Sequence, residues 1–190
     1  MKAVEFDGKP FSMTVKHLPV PKIAHPTDAI IRITSTGICG SDLHFFHGRL
    51  PVAPPMTMGH EIVGVVHSIG NKVHDLKLGD RVIVSAAIFE DELDGNDVLV
   101  GGLGFGNAFP GIDQLNGGQA EFVRVPFASD NLLLLPPGKE HELDYVLLAD
   151  IFPTSNWALD CAGFVFGDVV VVFGAGEYFL FFSRFCQWLL

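Results

Sequence analysis

Three shortages in this sequence each remove a class of function. Basic residues are few: 12 Lys and Arg stand against 22 Asp and Glu, a formal charge of −10. No window gathers the Lys and Arg that phosphate neutralisation needs, so a nucleic-acid-binding module is excluded. Cysteines are only 3, Cys39, Cys161 and Cys186, far apart and without a C-x-x-C pair. A disulfide framework is therefore not expected, and a reducing compartment is. An uninterrupted apolar stretch of membrane-spanning length is also missing, because Gly174, Gly176, Glu177 and Arg184 break the greasiest segment, Val169 to Leu190. Glu5 and Asp7 stand where a secretory leader would place its apolar run. The reading is a cytoplasmic chain with no membrane partner.

Apolar residues at 48% against 18% charged are enough for a packed core, so the chain reads as one domain, or one domain and a fragment of a second. From the start to about Leu135 short β-type runs alternate with turn residues, which favours a barrel or sandwich. The runs are Lys2 to Phe6, Met13 to Leu18, Ala29 to Ser35, Glu61 to Ile69, Val82 to Ser85, Ala120 to Val125 and Leu132 to Leu135. In the third, Ile31, Ile33 and Ser35 share one face and Ile30, Arg32 and Thr34 the other. Residues 86–118 break the pattern, with an acidic patch (Glu90, Asp91, Glu92, Asp94, Asp97) followed by many glycines. An irregular surface excursion is expected there, either a solvated loop or a lid or interface element. Helices are expected over Asp144 to Ala149 and Pro153 to Ala162. Val169 to Phe173 then reads as a strand buried on both faces of a parallel sheet.

The metal-capable side chains are densest in Cys39-Gly40-Ser41-Asp42-Leu43-His44, with His47 beyond, and in Gly59-His60-Glu61. A thiolate and an imidazole are good zinc ligands, and a carboxylate can complete a site that keeps one position open. Nothing local joins Cys39 to His60, and a lone Cys or His is more often a packed residue than a ligand. Ser41 and Asp42 equally suit the cap of a short helix beginning after Gly40. His44 and His47 suit a surface, and Asp80-Arg81 a structural turn with an ion pair.

Several segments occur together, in order. They are Gly37-Ile38-Cys39-Gly40-Ser41-Asp42-Leu43-His44, Met58-Gly59-His60-Glu61-Ile62-Val63-Gly64 and Leu78-Gly79-Asp80-Arg81-Val82. Gly117-Gly118-Gln119-Ala120-Glu121-Phe122-Val123-Arg124-Val125-Pro126 and Leu148-Ala149-Asp150-Ile151-Phe152-Pro153-Thr154 follow. Over residues 1–176 the chain resembles the zinc-dependent medium-chain alcohol dehydrogenase family, and the last segment resembles its formaldehyde dehydrogenase-like branch. The resemblance implies a mainly β fold with some α: a GroES-like β-barrel catalytic domain over 1–155. A linking helix and the first βα unit of an incomplete Rossmann domain would follow over 156–190. It implies Cys39, His60 and Asp150 as ligands of one catalytic zinc, with Glu61 a neighbouring or exchangeable ligand. Ser41 and His44 match the positions that relay the alcohol proton, and Gly174 and Gly176 the phosphate-binding turn for NAD(P).

Two departures qualify the resemblance. The four cysteines of the family's structural zinc lobe would fall within 86–118, and none is there, so a second, structural zinc is not expected. Gly174-Ala175-Gly176 begins a G-x-G-x-x-G fingerprint, but Phe179 holds the third glycine's place. One βα unit cannot form the crevice that binds a dinucleotide, which leaves NAD(P) binding open and suggests a C-terminally truncated relative. The aromatic tail from Tyr178 to Leu190 would need to fold back, form a homo-oligomer or meet a protein partner. The leading expectation is an oxidoreductase interconverting small alcohols and aldehydes, impaired by the incomplete cofactor domain. The alternatives are a non-redox zinc enzyme (lyase, isomerase or cyclase) and a non-catalytic remnant. Phe45, Phe46 and Trp157 are candidate substrate-pocket residues.

Overall fold

The computed structural model describes residues 1–50, 54–90, 98–105, 115–165, 167–174 and 176. The strands are β1 (Lys2–Phe6), β2 (Thr14–His17), β3 (Ala29–Thr36), β4 (Met56–Thr57), β5 (Ile62–Ile69), β6 (Arg81–Val84), β7 (Ala87–Glu90), β8 (Val98–Gly102), β9 (Phe122–Val125) and β10 (Leu132–Leu134). The helices are α1 (Gly40–Phe46), α2 (Ala128–Asn131), α3 (Glu142–Val146) and α4 (Ile151–Cys161). A five-stranded sheet runs β10-β6-β5-β3-β9, a three-stranded sheet β2-β1-β4, and β7 pairs with β8. All the paired strands are antiparallel.

The core lies inside the larger sheet. Ile31 pairs in register with Val66, and both are buried together with Val82, Val84, Val123 and Val125. Ile31 and Ile33 face inward and Arg32 and Thr34 outward, as the alternation requires, while Ile30 is buried on the opposite face. β3 and β5 approach so closely that a Cβ on Gly64 would lie 2.4 Å from Ile31 Cγ2 and 2.6 Å from the Arg32 carbonyl oxygen. Only glycine fits there.

The excursion over 86–118 is not irregular throughout. β7 and β8 form a hairpin, and Ile88, Leu103 and Leu115 are buried in the main core. The acidic residues Asp91, Glu92, Asp94 and Asp97 lie outside the described residues. The expected strand over Val169 to Phe173 does not form: Val169 and Phe173 are 90% and 97% exposed. A parallel strand buried on both faces needs neighbours on both sides, and among the described residues none is present. Phe179, the aromatic tail and Cys186 lie outside the described residues. No described helix is long and apolar enough to cross a membrane.

Arg81 joins the sheet to α3. It is buried, and its Nε donates to Glu142 Oε2 at 2.9 Å while its Nη1 donates to the Glu140 carbonyl at 3.2 Å. Its ion-pair partner is therefore Glu142 rather than Asp80, which instead accepts the Lys77 backbone N–H in a turn. Burial opposes ionisation of Glu142, but hydrogen bonds from Thr34 and Arg81 outweigh it and lower the pKa below its ordinary 4.5. A carboxyl held low in the folded state adds stability above pH 4.5 and loses it as pH falls through the lowered value. Glu142→Gln should thus cost about 1–3 kcal/mol near neutral pH. In urea unfolding the gap to the parent should close as pH drops below 4.5, and a pH-independent gap would contradict the account.

Candidate metal centre

The sheet register brings the two distant motifs together. Thr36, the last residue of β3, is paired with Ile62, the first of β5, and the Gly37 N–H continues the ladder to the Glu61 carbonyl at 2.9 Å. Cys39, just past β3, and His60, just before β5, are therefore neighbours although 21 positions separate them. Asp150 arrives from a third segment, where Val146 and Ala149 pack on Val63 and Ile83 and set the start of α4 at the same edge.

Local chemistry fixes each side chain. Cys39 is the N-cap of α1, and the Asp42 side chain reaches back to accept the Cys39 N–H at 3.0 Å, so the helix start holds the thiol in place. Thr154 donates its hydroxyl to Asp150 Oδ1 at 3.1 Å and its N–H to the Asp150 carbonyl, which leaves Oδ2 for the site. Asp150 Oδ2 then lies 3.8 Å from Cys39 Sγ and 3.4 Å from His60 Nε2. The ligand atoms of Cys39, His60 and Asp150 all lie within 4.8 Å of one another. Bond lengths of about 2.3 Å to sulfur and about 2.0–2.2 Å to nitrogen or oxygen imply tetrahedral edges of roughly 3.3–3.7 Å. The one-thiol, one-imidazole, one-carboxylate set fits a zinc ion with one position left open.

The electrostatics agree. His60 is 1% exposed, and burial alone would disfavour its cation. Asp150, Cys39 and Asp42 overcome that and push its pKa up to about 10. Asp150 is lowered, first by its hydrogen bond with His60 and against burial. Asp42 is raised by burial, although His60 and the backbone N–H groups of Cys39 and Gly59 favour its anion. Among the metal-free ligands a proton fills the place of a cation. On the far side of the imidazole, Nδ1 stands 3.7 Å from Asp42 Oδ1, and neither atom has a hydrogen-bond partner at that separation.

Ser41 is the other sequence-derived residue at the centre, its Oγ 3.3 Å from His60 Nε2. His44 is exposed one turn further along α1, on the side of the helix that carries Ser41. Glu61 is buried but outside the ligand group, its carboxylate packed so closely on Gly37 that a Cβ there would lie 2.0 Å from Oε2. His47 is partly buried, in contact with the rings of Phe11 and Phe46. The three aromatics expected at a substrate pocket lie in different surroundings. Phe45 is 1% exposed in a cluster with Phe6, Met56 and Met58, Phe46 packs edge-on against Phe11, and Trp157 is 67% exposed.

Sequence reasoning missed two contributors. Phe105 lies over the His60 ring, centroids 4.7 Å apart, and also contacts Phe45. The glycines around it bring backbone against backbone: a Cβ on Gly104 or Gly117 would lie 2.5 Å or 2.3 Å from the Gly59 carbonyl oxygen. The signal was the glycine density of the excursion, which read as looseness and serves close approach to the residue before His60. The phosphate-turn candidates contrast with this. Gly174 and Gly176 are exposed, and among the described residues a Cβ on either would meet nothing within 4 Å. The described residues form no cradle for a dinucleotide.

The fold is an antiparallel β domain with a Cys, His and Asp group at one edge of its larger sheet. Residues 25–137 match the alcohol dehydrogenase GroES-like domain, more than half of the chain. The chain belongs to that family. It is 39% identical to an uncharacterized zinc-type alcohol dehydrogenase-like protein, AdhB, of Bacillus subtilis, over all of this chain and 53% of the relative. It is 35% identical to the glutathione-independent formaldehyde dehydrogenase of Pseudomonas aeruginosa, over 88% of this chain and 46% of the relative. Among solved structures, alcohol dehydrogenase TADH from Thermus sp. ATN1 superposes with TM-score 0.85 and 36% identity, covering all of this chain and 55% of that one. The chain thus spans about half the length of the curated relatives it matches.

Because the metal-free His60 keeps its proton up to about pH 10, zinc must displace it. Binding near pH 7 should release at least one proton per zinc, and apparent affinity should rise with pH. Calorimetry in two buffers of different ionisation enthalpy would show this as a buffer-dependent heat. Identical heats would contradict it. In the metal-free chain the sign is opposite: the His60 contribution is complete below 6.5 and disappears as pH rises through about 10.

Proposed function

We propose that this chain carries the metal-binding and proton-transfer half of a zinc-dependent oxidoreductase that interconverts small alcohols and aldehydes. The observation that supports it best is Ser41 Oγ, 3.3 Å from the site-facing nitrogen of His60, beside the Cys39–His60–Asp150 group. Bound by these three residues, zinc would supply a Lewis acid for the substrate oxygen. Cys39 and Asp150 would provide the negative charge that retains the ion, and His60 would hold it as the neutral imidazole through Nε2. The Ser41 hydroxyl takes the alcohol proton at Oγ. His44, exposed one helical turn away, passes it to solvent. Phe105, stacked on His60, keeps water from that side of the ring.

No step is assigned through a nicotinamide dinucleotide: among the described residues, nothing lies within 4 Å of a Cβ on Gly174 or Gly176. Division into a catalytic unit over 1–155 and the beginning of a nucleotide-binding unit over 156–190, with α4 the connecting helix, is part of the proposal. So are a cytoplasmic location and a small-molecule substrate. Glu61 is proposed as a neighbouring carboxylate that can exchange onto the metal.

The test is titration of the cobalt-loaded chain with a primary alcohol. The visible absorption should change as alcohol binds, and a proton should appear in solution. Ser41→Ala should keep the metal and lose the proton release, with any alcohol oxidation slowed about 10²–10⁴-fold. An unchanged spectrum, or the same proton release in Ser41→Ala, would contradict the reading. NADH fluorescence alongside reports whether the hydride step also belongs to this chain.

A further inference from the structure

Asp42 gathers more than the cap of α1. The carboxylate is 3% exposed, and its Oδ2 accepts both the Cys39 N–H at 3.0 Å and the Gln119 side-chain amide at 3.3 Å. A carboxylate oxygen only accepts, so the amide nitrogen of Gln119 is the group that faces it. Its other oxygen, Oδ1, is the one turned towards His60 Nδ1.

Gln119 is fixed by its own surroundings. Its N–H donates to the Met58 carbonyl at 2.8 Å and its carbonyl accepts the Val4 N–H at 2.8 Å, which pins it between β1 and the segment before His60. Its side chain crosses Gly59, where a Cβ would lie 2.6 Å from Gln119 Cγ. One residue therefore touches both supports of His60, the backbone of Gly59 and the carboxylate behind Nδ1.

We infer that Gln119 is a positioning residue for the metal centre: by holding Asp42 Oδ2 it aims Oδ1 at His60 Nδ1 and so presents Nε2 to the ion. The inference rests on the zinc reading above. An imidazole has two nitrogens, and the partner of one decides which is free to ligate. Without the Gln119 amide, Asp42 keeps the backbone N–H groups of Cys39 and Gly59 but loses the one side-chain donor on Oδ2, and the aim of Oδ1 at His60 loosens.

The experiment compares zinc affinity, by chelator competition, in the parent, Gln119→Met and Gln119→Glu. Both variants keep the aliphatic stem that packs on Gly59 and lose the amide donor. Each should weaken zinc binding about 10-fold, the lower end of the effect of residues that orient a metal-ligating histidine. The loss of zinc affinity should exceed any loss of metal-free stability, which in Gln119→Glu includes repulsion between the new carboxyl and Asp42. The His60 Nδ1–H proton, slow to exchange by NMR in the zinc-loaded parent, should exchange rapidly in both variants. Affinity within twofold of the parent, or a weakening matched by an equal loss of metal-free stability in both variants, would overturn the inference. A parent chain that binds no zinc would refute the zinc reading instead.

Discussion

The approach of a thiol, an imidazole and a carboxylate to within 4.8 Å of one another is the constraint on which the rest of this structure depends. Asp150 carries negative charge, its pKa lowered first by the hydrogen bond with His60, and Cys39 and His60 beside it are buried. Such a group favours a cation among its atoms. In the metal-free chain that cation is the proton on His60, with its pKa pushed up to about 10. The same electrostatics that retain the proton make the place attractive to a zinc ion.

The fold meets that constraint at the edge of one sheet. Pairing of Thr36 with Ile62 places the end of β3 beside the start of β5, and the packing of α3 and its following turn on Val63 and Ile83 delivers Asp150 to the same edge. No ligand comes from the middle of a strand. Each sits at a junction where a cap or a turn, rather than the ladder, fixes the side chain. The glycines at 59, 104 and 117 belong to this design, because only bare backbone allows three segments to meet behind His60.

Much of this was legible in the sequence where local chemistry sets local structure. The alternation of Ile31 and Ile33 against Arg32 and Thr34 marks β3 and its buried face, and the runs Lys2 to Phe6 and Glu61 to Ile69 are bounded within a residue of their strands. Cys39, His60 and Asp150 were nameable as ligands only through resemblance, since nothing near Cys39 in sequence announces that β3 and β5 are partners. Long-range register escaped in the same way elsewhere. The partner of Arg81 is Glu142, 61 positions away, and not the adjacent Asp80. Glycine density in the 86–118 segment read as a surface loop because close backbone contact and flexibility share one composition. Val169 to Phe173 has the composition of a buried parallel strand, and among the described residues no neighbour is present for it to pair with.

The central claim is that Cys39, His60 and Asp150 together hold zinc, and X-ray absorption at the zinc edge of the loaded chain tests it most directly. The account predicts one sulfur at about 2.3 Å with the remaining ligands nitrogen or oxygen at about 2.0–2.2 Å, and loss of the sulfur shell in Cys39→Ser. A shell of nitrogen and oxygen alone in the parent chain, unchanged by that substitution, would contradict it.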